Sequence, residues 1–273
     1  MNALVLGGGG PVGASWTAAL LHGLVSAGLP LAESDVVLGT SAGSLVGAWL
    51  TMQPEELLSV PDRMRRRAAW HSSNAESGRG DQNLIRRVMA GSSTAVVIAQ
   101  AAAEAMPPIS SAQAEEMWRA ALPEGEWPPN LRAVSVDGNT GLAHAWSAAD
   151  GIPLAVAVSS STAAPGVAPP VLIADSFWVD GGVRSGTNAD LIDSAEPGRV
   201  LVVAPMASDN LAREEAELTG RGHRVRVIVA EPFYGSIADM LDPGFIDVAA
   251  AAGASQARDV AADLTAWWAE SSD

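Results

Sequence analysis

The chain has 273 residues, is 48% hydrophobic and carries a formal charge of −15, which excludes a marginal mini-protein, a disordered polar chain and a general nucleic-acid binder. All sixteen basic residues are Arg and there is no Cys, so Schiff-base lysines, a P-loop Lys, a Ser–Lys dyad, thiol nucleophiles, disulfides and thiolate metal sites are excluded as well. Four scattered His residues form no metal-binding pattern, and neither a metal nor a cofactor is expected.

Leu4–Leu6 is a short apolar run that ends in Gly7-Gly8-Gly9-Gly10-Pro11-Val12-Gly13, after which Trp16, Leu20, Leu21, Leu24 and Val25 recur at helical spacing. A second strand over Val36–Leu38, a turn over Gly39–Gly43 and a helix marked by Leu45, Val46, Trp49 and Leu50 repeat the unit. Successive strand–turn–helix units predict an α/β fold with a parallel sheet covered by helices. Residues 54–128 read as helices with breaks at Ser72–Asn74, Gly78–Gly80 and Pro107-Pro108. Further strands are predicted at Leu131–Val136, Ala155–Val158, Val171–Ile173, Val200–Val203 and Val225–Val229, and a long Ala-rich helix from Asp247 to Trp267-Trp268, with a frayed tail over Glu270–Asp273. No repeat or linker interrupts the pattern, so residues 1–273 are expected to form one domain. No basic leader precedes Leu4 and no run of eighteen apolar residues occurs, which predicts a soluble, cytoplasmic protein.

Gly8-x-Gly10-x-x-Gly13 fits a dinucleotide-binding turn, but the acidic residue that should end the second strand is missing: Gly39 follows Leu38, and Asp35 precedes the strand. The same turn can close a tight junction, or present consecutive backbone amides to an anion or an oxyanion. Gly39-Thr40-Ser41-Ala42-Gly43 is G-x-S-x-G between a strand and a helix, the setting of a nucleophile elbow, although Ser41 or Ser44 could serve merely as a helix cap. A serine hydroxyl needs a base. His22, His71 and His144 are poorly placed, and His223 alone has the chain order of a Ser–Asp–His triad, yet Gly220–Arg224 reads as an exposed turn. Asp180, at a strand end before Gly181-Gly182, is the other candidate, with a hairpin turn as its plainer reading.

Taken together, Gly8-x-Gly10-x-x-Gly13, Gly39-x-Ser41-x-Gly43 and Asp180-Gly181-Gly182 resemble the patatin-like phospholipase family. The likeness extends through Ser159–Ser161, Ala164–Gly166, Pro169-Pro170 and Thr187–Asp190. The resemblance implies a three-layer sandwich with a mainly parallel central sheet, the 54–128 segment acting as a variable helical cap. It further implies a Ser–Asp dyad in which Ser41 is the nucleophile and Asp180 the general base, with the backbone amides of Gly8, Gly9 and Gly10 as oxyanion hole and Gly13, Gly39, Gly43, Gly181 and Gly182 as supporting motif residues. The substrate class it implies is a lipid or other acyl ester. The departure is Val12, where many relatives carry Arg or Lys, preceded by Pro11, which lacks an N–H.

Seven Arg residues, Arg63, Arg65, Arg66, Arg67, Arg79, Arg86 and Arg87, fall within 25 positions that hold only Glu76 and Asp81 as acids. They read as a transient contact with a membrane surface or an anionic substrate group, or as a solvated helix face. Three further functional readings stay open: a Ser–Asp–His carboxylesterase using His223, a non-catalytic relative that binds a lipid or a partner, and a dinucleotide-binding oxidoreductase. Oligomeric state is not legible.

Overall fold

In the computed structural model, which describes residues 1–73, 93–194 and 196–269, nine strands form one sheet. They are β1 (Asn2–Leu6), β2 (Val36–Thr40), β3 (Ile109–Ser110), β4 (Leu131–Asp137), β5 (Ala143–Trp146), β6 (Val171–Ile173), β7 (Ser176–Asp180), β8 (Arg199–Ala204) and β9 (Arg224–Val229). The hydrogen-bonded path runs β3-β6-β7-β4-β2-β1-β8-β9, with β5 joined to β4. The core of the sheet, β4-β2-β1-β8-β9, is parallel; β7 runs antiparallel to both β4 and β6.

Among the described residues eight helices flank the sheet: α1 (Gly10–Ser26), α2 (Ala42–Met52), α3 (Val60–Ser73), α4 (Ala95–Ala105), α5 (Ser111–Arg119), α6 (Leu154–Ser161), α7 (Asp209–Gly220) and α8 (Ile246–Ala269). The central strands are apolar on both faces because both are covered. Leu4, Leu6, Val37, Leu131, Leu201 and Val203 pack with Trp16 and Leu20 of α1, Val46 of α2 and Trp267 of α8. Alternate residues Ala3, Val5, Leu38, Val134, Val200 and Val202 face the other way, onto Leu211 and Leu218 of α7. Val136 and Val179 meet Ala99 and Ala102 of α4 on that same side. Side chains such as Leu4, Leu6 and Leu20 are fully buried and each contributes about 1.5–3 kcal/mol. The result is the three-layer α/β sandwich expected.

One register relationship places the site. Val134 pairs with both Thr40 and Ala145, and Ser135 with both Asp180 and His144. A strand residue has one neighbour per edge, so β2 and β7 occupy the same edge of β4 and β5 the other. Running in opposite directions, β2 and β7 meet tip to tip, Thr40 beside Val134 and Asp180 beside Ser135.

The run Ala155–Val158, expected as a strand, is instead the middle of α6. Residues Ala155–Ser161 are buried all round, and a fully buried run carries no periodicity that separates strand from helix. Pro153 stands at the N-cap, where it has no N–H to leave unpaired and its φ of −62° is compatible with the helix that follows. The described part of the segment 54–128 holds helices up to Arg119, interrupted by irregular chain at Pro107-Pro108 and by the two-residue strand β3, and runs without helix over 120–128. Of the break expected at Ser72–Asn74, Ser72 and Ser73 still belong to α3, while Asn74, the break at Gly78–Gly80 and the tail Glu270–Asp273 lie outside the described residues. Among the described residues no helix is long and apolar enough to cross a membrane.

Candidate active site

Ser41 follows the last residue of β2 and precedes α2, with φ 53° and ψ −120°. A non-glycine residue in that region costs about 1–3 kcal/mol and persists only where its surroundings hold it. Here they do: the Ser41 amide donates to Ser161 Oγ at 2.9 Å, and its carbonyl accepts from the amide and the hydroxyl of Ser44 at 2.9 and 2.7 Å. The flanking glycines are forced by close approach. A Cβ on Gly43 would lie 2.0 Å from the Leu6 carbonyl oxygen, and one on Gly39 2.5 Å from the Ser44 backbone. Ser41 makes no capping bond to α2 with its side chain. Its hydroxyl donates to Asp180 Oδ2 at 2.7 Å.

Asp180 ends β7 with 5% of its surface exposed. Its second oxygen, Oδ1, accepts the Gly182 amide at 2.7 Å, which fixes the carboxylate plane. Burial pushes its pKa up to about 6, against the opposing pull of the Ser41 hydroxyl and the Gly182 amide. A carboxylate so placed is ionised at neutral pH yet basic enough to take up a proton. The plainer reading of Asp180-Gly181 as a hairpin turn does not hold, because the chain enters a 3-10 turn over Gly181–Val183.

The glycine turn after β1 lies against the elbow: a Cβ on Gly8 would sit 3.1 Å from Ser41 Cβ. The Gly8 amide is already engaged, donating to the Gly186 carbonyl at 2.8 Å. The amides of Gly9 and Gly10, at the N-cap and first residue of α1, have no acceptor among the described residues. Pro11 falls within the first turn of α1, where an N–H would have no intrahelical acceptor, so its missing donor costs the helix nothing. The carbonyl of Gly9 accepts the Gly13 amide at 2.8 Å and begins the helical ladder.

Beneath the pair lies a buried polar web that sequence reasoning did not resolve. Asn188, fully buried with φ 51°, donates its side-chain amide to the Ser185 carbonyl at 2.7 Å, the Gly181 carbonyl at 3.1 Å and Thr40 Oγ1 at 3.2 Å. Arg184 holds the Asn188 oxygen at 2.8 Å and pairs with both oxygens of Asp190. Buried Glu214 accepts from Thr187 Oγ1 at 2.5 Å and from the Ala189 amide at 2.8 Å. The signal available was the polar run Thr187–Asp190 itself; Ser161, which holds the Ser41 amide, had only a run of three serines to mark it.

The histidines lie elsewhere. The Gly220–Arg224 turn was expected to be exposed, but His223 is buried, its Nδ1 accepting the Gly198 amide at 3.1 Å, and burial lowers its pKa. It precedes β9 beside the start of β8, whereas Ser41 follows the end of β2, so in a parallel sheet the two stand at opposite rims. His144 pairs with Asp150 at 3.0 Å and stacks edgewise on Trp146. Among the described residues no group of three or more His, Asp or Glu side chains is arranged for a metal ion.

The Arg cluster is in large part structural where described. Arg63 lies over the Trp49 ring at 3.9 Å and Arg67 over the Trp118 ring at 3.6 Å, the latter with its pKa lowered to about 10 by burial. Arg65 pairs with Asp62 and Asp247, and Arg66 is exposed. Arg79, Arg86 and Arg87 lie outside the described residues.

Residues 4–193 match the family model described as patatin-like phospholipase. Among solved structures the chain is similar to the crystal structure of VipD from Legionella pneumophila, with a TM-score of 0.46 and 15% sequence identity over 96% of this chain and 67% of that one. No curated protein matches the chain.

Proposed function

The chain belongs to the patatin-like phospholipase family, and from that premise we propose that it is a serine acyl hydrolase acting on lipid esters through a dyad of Ser41 and Asp180. The observation that carries the reading is the 2.7 Å hydrogen bond from Ser41 Oγ to the buried carboxylate of Asp180, made by a serine on a strained turn. In this reading Asp180 accepts the serine proton as Oγ attacks the acyl carbon. The tetrahedral oxyanion is met by the free amides of Gly9 and Gly10 and the positive end of α1, while Gly8 contributes space beside Ser41 rather than a donor. The alcohol leaves with the proton, and Asp180 then activates water against the seryl ester. Lys or Arg at position 12 is dispensable to this scheme, because backbone groups bind the oxyanion.

Intact-mass analysis after incubation with a fluorophosphonate tests it. Wild type should gain one adduct, Ser41→Ala none, and Asp180→Asn should label about 10²–10⁴ times more slowly. His223→Ala should label at the wild-type rate, which separates the dyad from a Ser–Asp–His esterase. Folded wild type that never labels would overturn the hydrolase reading in favour of a binding protein.

A further inference from the structure

The buried stripe of α7 is Leu211, Glu214 and Leu218, spaced as an apolar face would be, with a carboxylate in the middle place. Glu214 is fully buried, whereas its neighbour Glu215 is exposed. A carboxylate taken out of water is costly unless donors meet it, and an apolar residue at the same place would carry no such cost. The donors that meet this one are Thr187 Oγ1 at 2.5 Å and the Ala189 amide at 2.8 Å, both on Oε2. The other oxygen, Oε1, has no hydrogen-bond partner among the described residues and lies 3.8 Å from the Arg213 guanidinium.

Those two donors stand on either side of Asn188, whose backbone is left-handed. One carboxylate oxygen thus spans the turn and holds it closed. The stretch so held reaches all three sequence motifs. The Gly186 carbonyl accepts the Gly8 amide at 2.8 Å, and the Thr187 carbonyl accepts the Thr40 hydroxyl at 3.2 Å. The Asn188 side-chain amide donates to Thr40 Oγ1 and to the Gly181 carbonyl. Because Thr40 precedes Ser41 and Gly181 follows Asp180, a change in the turn shifts the hydroxyl and the carboxylate relative to each other.

We propose that Glu214 is a positioning residue for the reaction: by clamping Thr187 and Ala189 it fixes the left-handed turn at Asn188, and through that turn the alignment of Ser41 with Asp180. The inference rests on the hydrolase reading. Glu214 lies on α7, beyond residues 4–193 that match the family model, so this support comes from a part of the chain that the match does not cover. What the turn needs from Glu214 is an acceptor and not a charge. Replacing Oε1 by an amide nitrogen forfeits no hydrogen bond, whereas removing Oε2 leaves two buried donors without a partner.

The test follows the rate of fluorophosphonate labelling, with kcat and KM on a p-nitrophenyl ester, for wild type, Glu214→Ala and Glu214→Gln at a temperature where circular dichroism shows each to be folded. Glu214→Ala should label about 10–10² times more slowly and lose kcat by the same factor with KM unchanged, because Glu214 acts through the turn and not on the ester. Glu214→Gln should recover labelling to within about threefold of wild type. A residue that only stabilised the fold would lower the melting temperature of Glu214→Ala and leave the labelling rate of the folded protein unmoved. That outcome overturns the proposal, as does a Glu214→Gln variant as slow as Glu214→Ala. Should Glu214→Ala not fold, Thr187→Val deletes one of the two donors and Thr187→Ser keeps it: the first should label about tenfold more slowly than the second, and equal rates overturn the proposal. Wild type that never labels overturns the hydrolase reading and this inference with it.

Discussion

Asn188 donates its side-chain amide both to the Gly181 carbonyl, just after Asp180, and to the hydroxyl of Thr40, just before Ser41. One amide thus ties the strand end that precedes Ser41 to the turn that follows Asp180, and its left-handed backbone is part of the arrangement. We expect Asn188→Ala to lose about 2–4 kcal/mol of stability, since it leaves buried acceptors unpaired and puts Ala at positive φ. Asn188→Gly, which removes only the strain, should recover about 1 kcal/mol of that in urea unfolding. Both should label slowly with a fluorophosphonate, because neither restores the link between Gly181 and Thr40.

Ester cleavage should depend on the ionised form of Asp180, whose pKa is raised to about 6. The expected profile of kcat/KM has an acid limb with an apparent pKa near 6 and a plateau above it. An acid limb at the ordinary carboxylate value near 4 would show that burial of Asp180 is not felt in the free enzyme.

The same shift has a thermodynamic signature of definite sign. In the fold Asp180 binds its proton more tightly than in the unfolded chain, where 3.8 applies, so stability is undiminished below that value and is lost as pH rises to about 6. Asp180→Asn carries no such penalty. Relative to wild type it should gain up to about 3 kcal/mol at about pH 8 and nothing at about pH 3.5, as read from paired denaturant titrations.

Gly43→Ala places a methyl 2.0 Å from the Leu6 carbonyl oxygen and should cost more than about 3 kcal/mol, since both backbones are locked in the sheet and helix core. Gly220→Ala, at the end of α7 with open space around it, serves as control and should shift stability by no more than about 0.5 kcal/mol. Thermal melts of the two variants check the contrast.

What was legible in the sequence is what local chemistry dictates. The glycine turn, the elbow and Asp180 each sit at a strand end, with residue types that the backbone demands there, and most central strands announce themselves as short apolar runs. What was not legible depends on partners distant in the chain. Whether Ala155–Val158 is strand or helix is decided by what surrounds it on every side. Ser161 and Asn188 acquire their roles from contacts 120 and 148 residues away. His223 looks exposed among Gly and Arg, yet it is buried and its ring accepts the Gly198 amide ahead of β8.

The tip-to-tip meeting of β2 and β7 on one edge of β4 makes the distance between Ser41 and Asp180 a length marked off on a ruler. Two adjacent residues of β4, Val134 and Ser135, are its graduations. The spacing is set by hydrogen-bonded register along β4 and not by the lengths of the stretches of chain that join the three strands. A slip of β7 by one position along β4 would move Asp180 by about 3.3 Å and turn its carboxylate to the opposite face. The juxtaposition of Ser41 and Asp180 is therefore intolerant of a single-residue error in the sheet.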